Sequence, residues 1–391
     1  MYRNTILGVL YTVIITGVLF NVFHSLIGLE MLYNETNRAL LLTPYYIITF
    51  LMFIIFLILV IIQGGRDRLA LYFSFFILMS AIVYFKEPDI SYVKRVLVYI
   101  TPLLFFLTLL SSRRDYSVSI FRAIKLAFYL SLVFSFLQLF FIEPAHHGRI
   151  NGIFQGPNSY AVFLIAFLMI CVTNKSYKLG ALSVILIVLT KSSTSILILF
   201  LACIIQWMNW RSLIFSLIIS TLIFYTLINV YTVGQSETID KIVLIVEYIS
   251  SLDISELKYL SEFSTSLDIP NVDERIISPL NRIVQFNYFL FNTSITELII
   301  GSYNPRFYES SFLMYLSNFG FFGLILYLYF FFIAKSFISS KLSSSIFCAM
   351  FILSVVALPI FSLAFSSWLV MSSIYISIIY FRCDLNKCRM T

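Results

Sequence analysis

Charged side chains are scarce in this chain of 391 residues, where Asp, Glu, Lys and Arg make up 12% of the sequence. An ordinary soluble domain carries about 25%. Hydrophobic residues make up 60%, and apolar stretches of roughly 17 to 25 residues recur throughout, each long enough to cross a bilayer as a helix. None alternates as the strands of a membrane barrel do. The sequence therefore predicts an all-α polytopic integral membrane protein and excludes a typical soluble one.

Cysteine and histidine are also few. The five cysteines lie within predicted spans or on the predicted inner side, so no disulfide is expected. Cys383 and Cys388 have no second Cys/His pair nearby that would complete a zinc site. Apart from His24, the histidines are the neighbours His146 and His147, and adjacent side chains rarely converge on one ion. We predict no metal and no cofactor, and assign His147 to interfacial hydrogen bonding or a phosphate contact.

The formal net charge of +7 comes from basic residues scattered over short loops, not gathered into a patch, so we expect no nucleic-acid partner. Arg3 precedes the first span, and no small-x-small cleavage pattern follows it, which indicates a retained anchor. Together with Arg3, the predicted inner segments hold 14 of the 26 basic residues and three of the 19 acidic ones. This bias is typical of cytoplasmic loops, so both termini are predicted to be cytoplasmic.

Twelve transmembrane helices are predicted, arranged as helices 1–9 in residues 1–231, a large outer loop in 232–310, and helices 10–12 with the tail in 311–391. The loop holds 11 acids and five bases. Segments 239–260 and 282–300 have the apolar spacing of amphipathic helices that lie on a bilayer or form a lid. The predicted spans are 5–24, 45–63, 69–85, 95–110, 122–142, 158–173, 179–190, 194–208, 211–232, 311–334, 344–363 and 366–381.

The predicted spans themselves almost lack charge. Apart from Lys125, near the inner end of the fifth span, no Lys, Arg, Asp or Glu lies at mid-membrane depth. Ion and proton relays need buried charges, and neither internal repeats nor inverted halves are found, which disfavours common transporter architectures. The chemistry is therefore expected at the outer face.

The segment HHGRINGIFQGPNSYAVF (146–163) interrupts the apolar sequence with polar and turn-forming residues. Its glycines allow tight turns, Pro157 suits the start of a helix, and Asn158 or Ser159 can cap that helix. The positive end of the helix dipole would then lie beside Arg149, whose planar fork matches phosphate oxygens. An ordinary turn with an interfacial arginine is the alternative.

Further candidates lie in the large outer loop. Arg275 and Arg282 are seven residues apart, so they share one face if their segment is helical; a break at Pro279 is the alternative. Arg306 follows them. Glu309 is the last acid before the tenth span, where partial desolvation would raise its pKa toward that of a general base. Solvated or ion-paired arginines and a capping glutamate are the alternatives.

Three segments, in this order, resemble the bacterial O-antigen polymerase and O-antigen ligase superfamily. RINGIFQGPNSYAVFL (149–164) is similar to the arginine, glycine, phenylalanine and Pro-Asn signature of its shared membrane region. VLTKSSTSILILFL (188–201) is similar to the Thr/Ser-rich turn that follows it. YESSFLMYLSNFGFFGL (308–324) resembles the segment after the large periplasmic loop. The match covers roughly residues 146–335.

The resemblance implies a GT-C-like fold in the bacterial inner membrane, with the active site at the periplasmic face. The implied enzyme is an inverting, metal-independent glycosyltransferase whose donor and acceptor are undecaprenyl-pyrophosphate-linked oligosaccharides. Its other partners would be membrane lipids and a chain-length regulator protein. Such an enzyme must mainly stabilise charge on the departing pyrophosphate and deprotonate a hydroxyl. The implied catalytic residues are Arg149 and Arg282 for the pyrophosphate and Glu309 as the base; Arg275, Arg306, His147, Asn158 and Tyr308 are implied substrate contacts.

Within this superfamily we favour a polymerase. Ligases typically carry a histidine in the large loop just before the next span, and residues 232–310 contain none. An acid at the position of Glu309 is familiar among polymerases. A ligase that transfers glycan to lipid A-core, a flippase or other transporter for lipid-linked oligosaccharides, and a non-catalytic partner in polysaccharide export are the alternatives.

Overall fold

The structure, a computed structural model, describes part of the chain in detail, and in that part every regular element is a helix. The prediction of an all-helical fold is confirmed for these residues. They are 2–27, 50–51, 54, 100–103, 105–106, 109–110, 116–141, 149–154, 156–207, 259–260, 262, 277–302, 310–338, 340–356 and 364–389.

Ten helices occur in these ranges. Two of them, α2 and α8, are long and apolar enough to cross a membrane, and six others contain shorter apolar stretches. This composition is compatible with a helical membrane protein. The helices are α1 (Tyr2–Ile27), α2 (Ser117–Phe140), α3 (Pro157–Thr173), α4 (Tyr177–Leu189), α5 (Ser193–Trp207), α6 (Ile277–Asn292), α7 (Ile295–Ile300), α8 (Ser311–Phe337), α9 (Lys341–Val356) and α10 (Ala364–Arg389).

Eight of these helices coincide with predicted spans, and α3 begins one residue before the predicted 158–173. The predicted spans 69–85 and 211–232, all but three residues of 45–63, and half of 95–110 lie outside the described residues. The count of twelve spans and the GT-C-like architecture therefore stay predictions. The same holds for the amphipathic segment 239–260.

Helix α3 is the centre of the described bundle. Nearly all of its side chains are buried, and it packs against α4, α5, α9 and α10. A helix that is apolar on every side needs such an enclosed position. Phe167 of α3 stacks on Phe128 of α2, with ring centroids 4.3 Å apart, so α2 closes a further side of the same core.

Hydrogen bonds join the helices at the end of the bundle where α3 finishes. The hydroxyls of Thr173 and Ser343 lie 3.0 Å apart, and Ser345 donates to Oε1 of Gln206 at 3.2 Å. These residues mark the end of α3, the start of α9 and the end of α5. The start of α3 lies about 24 Å away at 1.5 Å per residue, so each end of the bundle has its own set of polar contacts.

Helix α8 is broken at Gly320, whose φ of 62° and ψ of −160° are not helical. Eight residues of straight helix would separate Tyr315 from Gly323 by about 12 Å. A Cβ placed on Gly323 would instead lie 2.8 Å from the carbonyl oxygen of Tyr315. The helix axis therefore turns sharply at Gly320, a break that the predicted span over 311–334 did not include.

The backbone of residues 299–302 packs directly onto this break. The N–H of Ser302 donates to the carbonyl oxygen of Ser317 at 2.7 Å. A Cβ on Gly320 would overlap the carbonyl group of Ile299. Only glycine permits both this close approach and the positive φ.

The predicted amphipathic segment 282–300 consists of two helices, α6 and α7. The second helix starts with a capping box, in which Ser294 and Glu297 exchange hydrogen bonds. Glu297 also accepts from the hydroxyl of Ser302 at 3.0 Å. This bond holds residues 299–302, the segment that packs onto Gly320. Pro279 lies in the first described turn of α6, where proline is tolerated. Residues 271–276 lie outside the described residues, so a break of that segment at Pro279 stays a prediction.

Candidate functional site

The side chain of Arg149 joins three parts of the bundle. Arg149 is half-buried in the turn between α2 and α3. Its Nε donates to the carbonyl oxygen of Thr190 at 3.0 Å, and its Nη2 donates to Oδ1 of Asn158 at 3.0 Å. Thr190 caps the end of α4. The guanidinium therefore links the α2–α3 turn, the start of α3 and the turn between α4 and α5.

One edge of the Arg149 fork is already occupied. Nε and Nη2 form that edge, and among the described residues these two hydrogen bonds are the only ones of the side chain. A guanidinium has five N–H donors, so Nη1 and the second N–H of Nη2 are left. Together they form the end of the fork, which can bind two oxygens of one phosphate or carboxylate.

The charge of Arg149 has no described counter-ion. No carboxylate in the described ranges pairs with it, and burial alone lowers its pKa from the ordinary value. The guanidinium still stays protonated at physiological pH, because arginine does not lose its proton in proteins. A partly desolvated cation attracts an anion more strongly than a solvated one. The electrostatics therefore suit an anionic ligand.

Gln138, near the end of α2, holds the turn that carries Arg149. Its Oε1 accepts from the N–H groups of Asn151 at 3.0 Å and Gly152 at 3.1 Å. Its Nε2 donates to Oδ1 of Asn151, whose own Nδ2 donates to the carbonyl oxygen of Phe154 at 2.8 Å. Both amides are buried, so breaking one of these bonds would leave a polar group without a partner, which costs free energy. The contacts therefore hold the turn in this conformation.

The turn is also enclosed sterically. Gly152 has a φ of +55°, and a Cβ there would lie 3.0 Å from Cβ of Ser131 and 3.1 Å from Cζ of Tyr160. From the other side, a Cβ on Gly17 of α1 would lie 2.6 Å from the carbonyl oxygen of Ile153. Helices α1, α2 and α3 therefore hold the turn in one conformation.

The α4–α5 turn supplies the acceptor for Nε of Arg149. Lys191 adopts the left-handed conformation, with φ of 50°, and its N–H donates to the carbonyl oxygen of Val188 at 3.0 Å. The hydroxyls of Ser192 and Ser195 lie 3.1 Å apart at the start of α5. These local bonds shape the turn and leave the Thr190 carbonyl for Arg149. Lys191, the residue after Thr190, is exposed and adds a second positive charge to this turn.

The structure brings together two of the predicted site residues, Arg149 and Asn158. Neither Asn158 nor Ser159 caps α3 as predicted, because the N-cap residue is Gly156; the side chain of Asn158 accepts from Arg149 instead. Arg282 is half-buried on α6, which packs against α8. The other predicted site residues lie outside the described residues: Glu309, Arg275, Arg306, His147 and Tyr308.

Three residues that shape the site were missed by sequence reasoning. Gln138 carries a weak signal, since it is a polar residue inside an apolar run. Asn151 lies within the conspicuous turn segment, yet glycine and proline there suggest a turn without showing which side chain closes it. Thr190 acts through its backbone carbonyl, so its residue type carries no signal.

No protein-family model matches the chain, and no curated protein matches it either. The observations that bear on function are therefore the geometry around Arg149 and the resemblance of the quoted motifs.

Proposed function

We propose that the protein is an O-antigen polymerase, an integral membrane glycosyltransferase at the periplasmic face of the bacterial inner membrane. It would polymerise oligosaccharide repeat units linked to undecaprenyl pyrophosphate. The observation that carries the proposal is the oriented guanidinium of Arg149, with one edge bound to Thr190 and Asn158 and no carboxylate partner in the described ranges.

Binding of the donor is the role proposed for the open end of the Arg149 fork. A diphosphate offers paired oxygens that match it. As the bond between the anomeric carbon and the phosphate oxygen breaks, negative charge grows on that oxygen. A cation held in place before the reaction stabilises this charge at little reorganisation cost. Arg282 is proposed to contribute a second positive charge, with Arg275 and Arg306 as further candidates.

The acceptor is a sugar hydroxyl of a second lipid-linked glycan. We assign Glu309 as the general base that takes the hydroxyl proton while the oxygen attacks the anomeric carbon. A new glycosidic bond forms, the carbon inverts, and undecaprenyl pyrophosphate leaves with the bonding electron pair. The reaction written in this way needs no metal ion. Membrane lipids and a chain-length regulator protein complete the proposed partners.

Deletion of the gene in its native host tests the class of function. A lost polymerase leaves lipopolysaccharide with a single repeat unit on the core. Bare core with polymer still attached to the lipid carrier would instead indicate a ligase. Bare core with unpolymerised units trapped on the inner side would indicate a flippase. Either of the last two phenotypes would overturn the proposal.

Complementation of that deletion links the phenotype to the site. Wild-type protein should restore long chains, and an Arg149→Ala variant should not. The exposed Arg122 of α2 offers a matched control, since Arg122→Ala removes the same group near the other end of that helix. Expression of each variant is checked by immunoblot of the membrane fraction.

A further inference from the structure

Gln138 and Asn151 form a buried pair of amides that we call the amide clamp. Through it, α2 holds backbone positions two and three residues after Arg149, with bonds of 3.0 and 3.1 Å to the N–H groups of Asn151 and Gly152. Among the described residues, no hydrogen bond joins either clamp residue to the guanidinium. The clamp therefore acts on the backbone that follows Arg149 in the turn.

The orientation of Arg149 depends on two separate supports. Thr190 and Asn158 hold its head group, while the clamp holds the backbone two and three residues further along the turn. A bidentate contact to two oxygens requires placement within about 0.5 Å and 10–20°. If the backbone shifts, the head group must either leave its two acceptors or turn its open end away from the ligand.

We propose that the amide clamp positions Arg149 for a diphosphate ligand, so that Gln138 and Asn151 are positioning residues of the anion site. The inference rests on the proposed function, because it assumes that Arg149 binds the diphosphate. It adds that α2 determines the affinity without touching the ligand. A purely structural amide pair would affect thermal stability and leave the affinity of folded protein unchanged.

The test uses the full chain in lipid nanodiscs, with inorganic pyrophosphate as the probe and titration calorimetry as the measurement. Gln138→Met keeps the length of the side chain and removes its amide; it should weaken binding about tenfold. Asn151→Leu leaves the bonds from Gln138 to the two N–H groups in place and should weaken binding about threefold. If Gln138→Met yields no folded protein, Asn151→Leu decides the question.

Two further variants separate positioning from a general effect. Gln206→Met is the matched control, since Gln206 lies at the opposite end of the bundle and accepts from Ser345 at 3.2 Å; its affinity should equal that of wild type. In an Arg149→Lys background, Gln138→Met should have little further effect, because lysine presents a point charge without a fork to orient.

The outcomes distinguish this inference from the proposed function. If Arg149→Ala binds pyrophosphate as wild type does, the assignment of Arg149 to the anion site is wrong. If Arg149→Ala loses binding while the folded clamp variants retain it, only the positioning role is wrong. If Gln138→Met weakens pyrophosphate binding by the same factor in the wild-type background and in the Arg149→Lys background, the positioning role is also wrong.

Discussion

Nε of Arg149 donates a hydrogen bond to the carbonyl oxygen of Thr190 at 3.0 Å, across 41 positions of sequence. Thr190 caps the end of α4, where carbonyl groups lack partners within the helix. The guanidinium satisfies one of them and benefits from the negative end of the helix dipole. One edge of the fork thus has a structural task, and the open end can bind a ligand without breaking it.

Replacement of Arg149 by lysine should abolish most of the proposed activity. Lysine retains the charge but cannot bind Thr190, Asn158 and two phosphate oxygens at once. We expect polymerisation by purified protein to fall about 10- to 100-fold for Arg149→Lys and further for Arg149→Ala. Arg122→Lys is the control and should retain wild-type turnover. Wild-type chain lengths from Arg149→Ala would contradict the assignment.

An Asn158→Asp substitution should neutralise the site with almost no change of shape. Oδ1 of Asn158 already lies 3.0 Å from Nη2 of Arg149, so a carboxylate there would form an ion pair. Because Asn158 is exposed, the effect is screened, and we expect pyrophosphate affinity to fall about three- to tenfold. Salt should reduce this difference.

The control for Asn158→Asp is Asn174→Asp, which adds the same charge at the far end of α3. Its pyrophosphate affinity should match that of wild type, whatever its thermal stability. Unchanged affinity in Asn158→Asp would mean that Arg149 does not face the anion.

For Glu309, the sequence predicts a general base. Glu309→Gln keeps the size of the side chain but cannot accept the hydroxyl proton, so turnover should fall about 10²- to 10⁴-fold. Donor affinity should stay near that of wild type, since the pyrophosphate is assigned to arginines. Glu309→Asp should retain part of the turnover. Single-turnover assays with lipid-linked substrate separate turnover from donor affinity. Full turnover by Glu309→Gln would exclude Glu309 as the general base.

The length of apolar runs was enough to predict most described helices. Pro157 and the turn before it place the start of α3 to within one residue, because proline and glycine act through local backbone geometry. The break in α8 was not predictable in this way. Gly320 takes its positive φ because residues 299–302 pack against it. A contact between segments about 20 residues apart does not change the hydropathy pattern, so the pattern cannot reveal it.

The candidate site was predictable only where its parts are neighbours in sequence. Arg149 and Asn158 belong to one short segment, and the structure joins them. The bond to the carbonyl oxygen of Thr190 depends on how α3 and α4 pack. The role of Gln138 was not predicted, because a single amide in an apolar helix is usually a tolerated polar residue. Its role becomes visible only when the structure shows which groups it bonds.

Gly320→Ala should destabilise the protein strongly. Alanine disfavours the φ of 62°, and its Cβ would overlap the carbonyl group of Ile299 and lie 2.7 Å from N of Gly301. Backbone atoms cannot move aside as flexible side chains can. We expect a loss of at least about 2 kcal/mol in the free energy of unfolding, seen as a lower melting temperature of the purified protein.

Gly8→Ala is the matched control for Gly320→Ala. A Cβ on Gly8 of α1 meets nothing within 4 Å, and alanine favours a helix over glycine by up to about 1 kcal/mol. The melting temperature of Gly8→Ala should therefore equal or exceed that of wild type. If Gly320→Ala melts at the wild-type temperature, residues 299–302 do not pack against the break, and α8 runs straight through position 320.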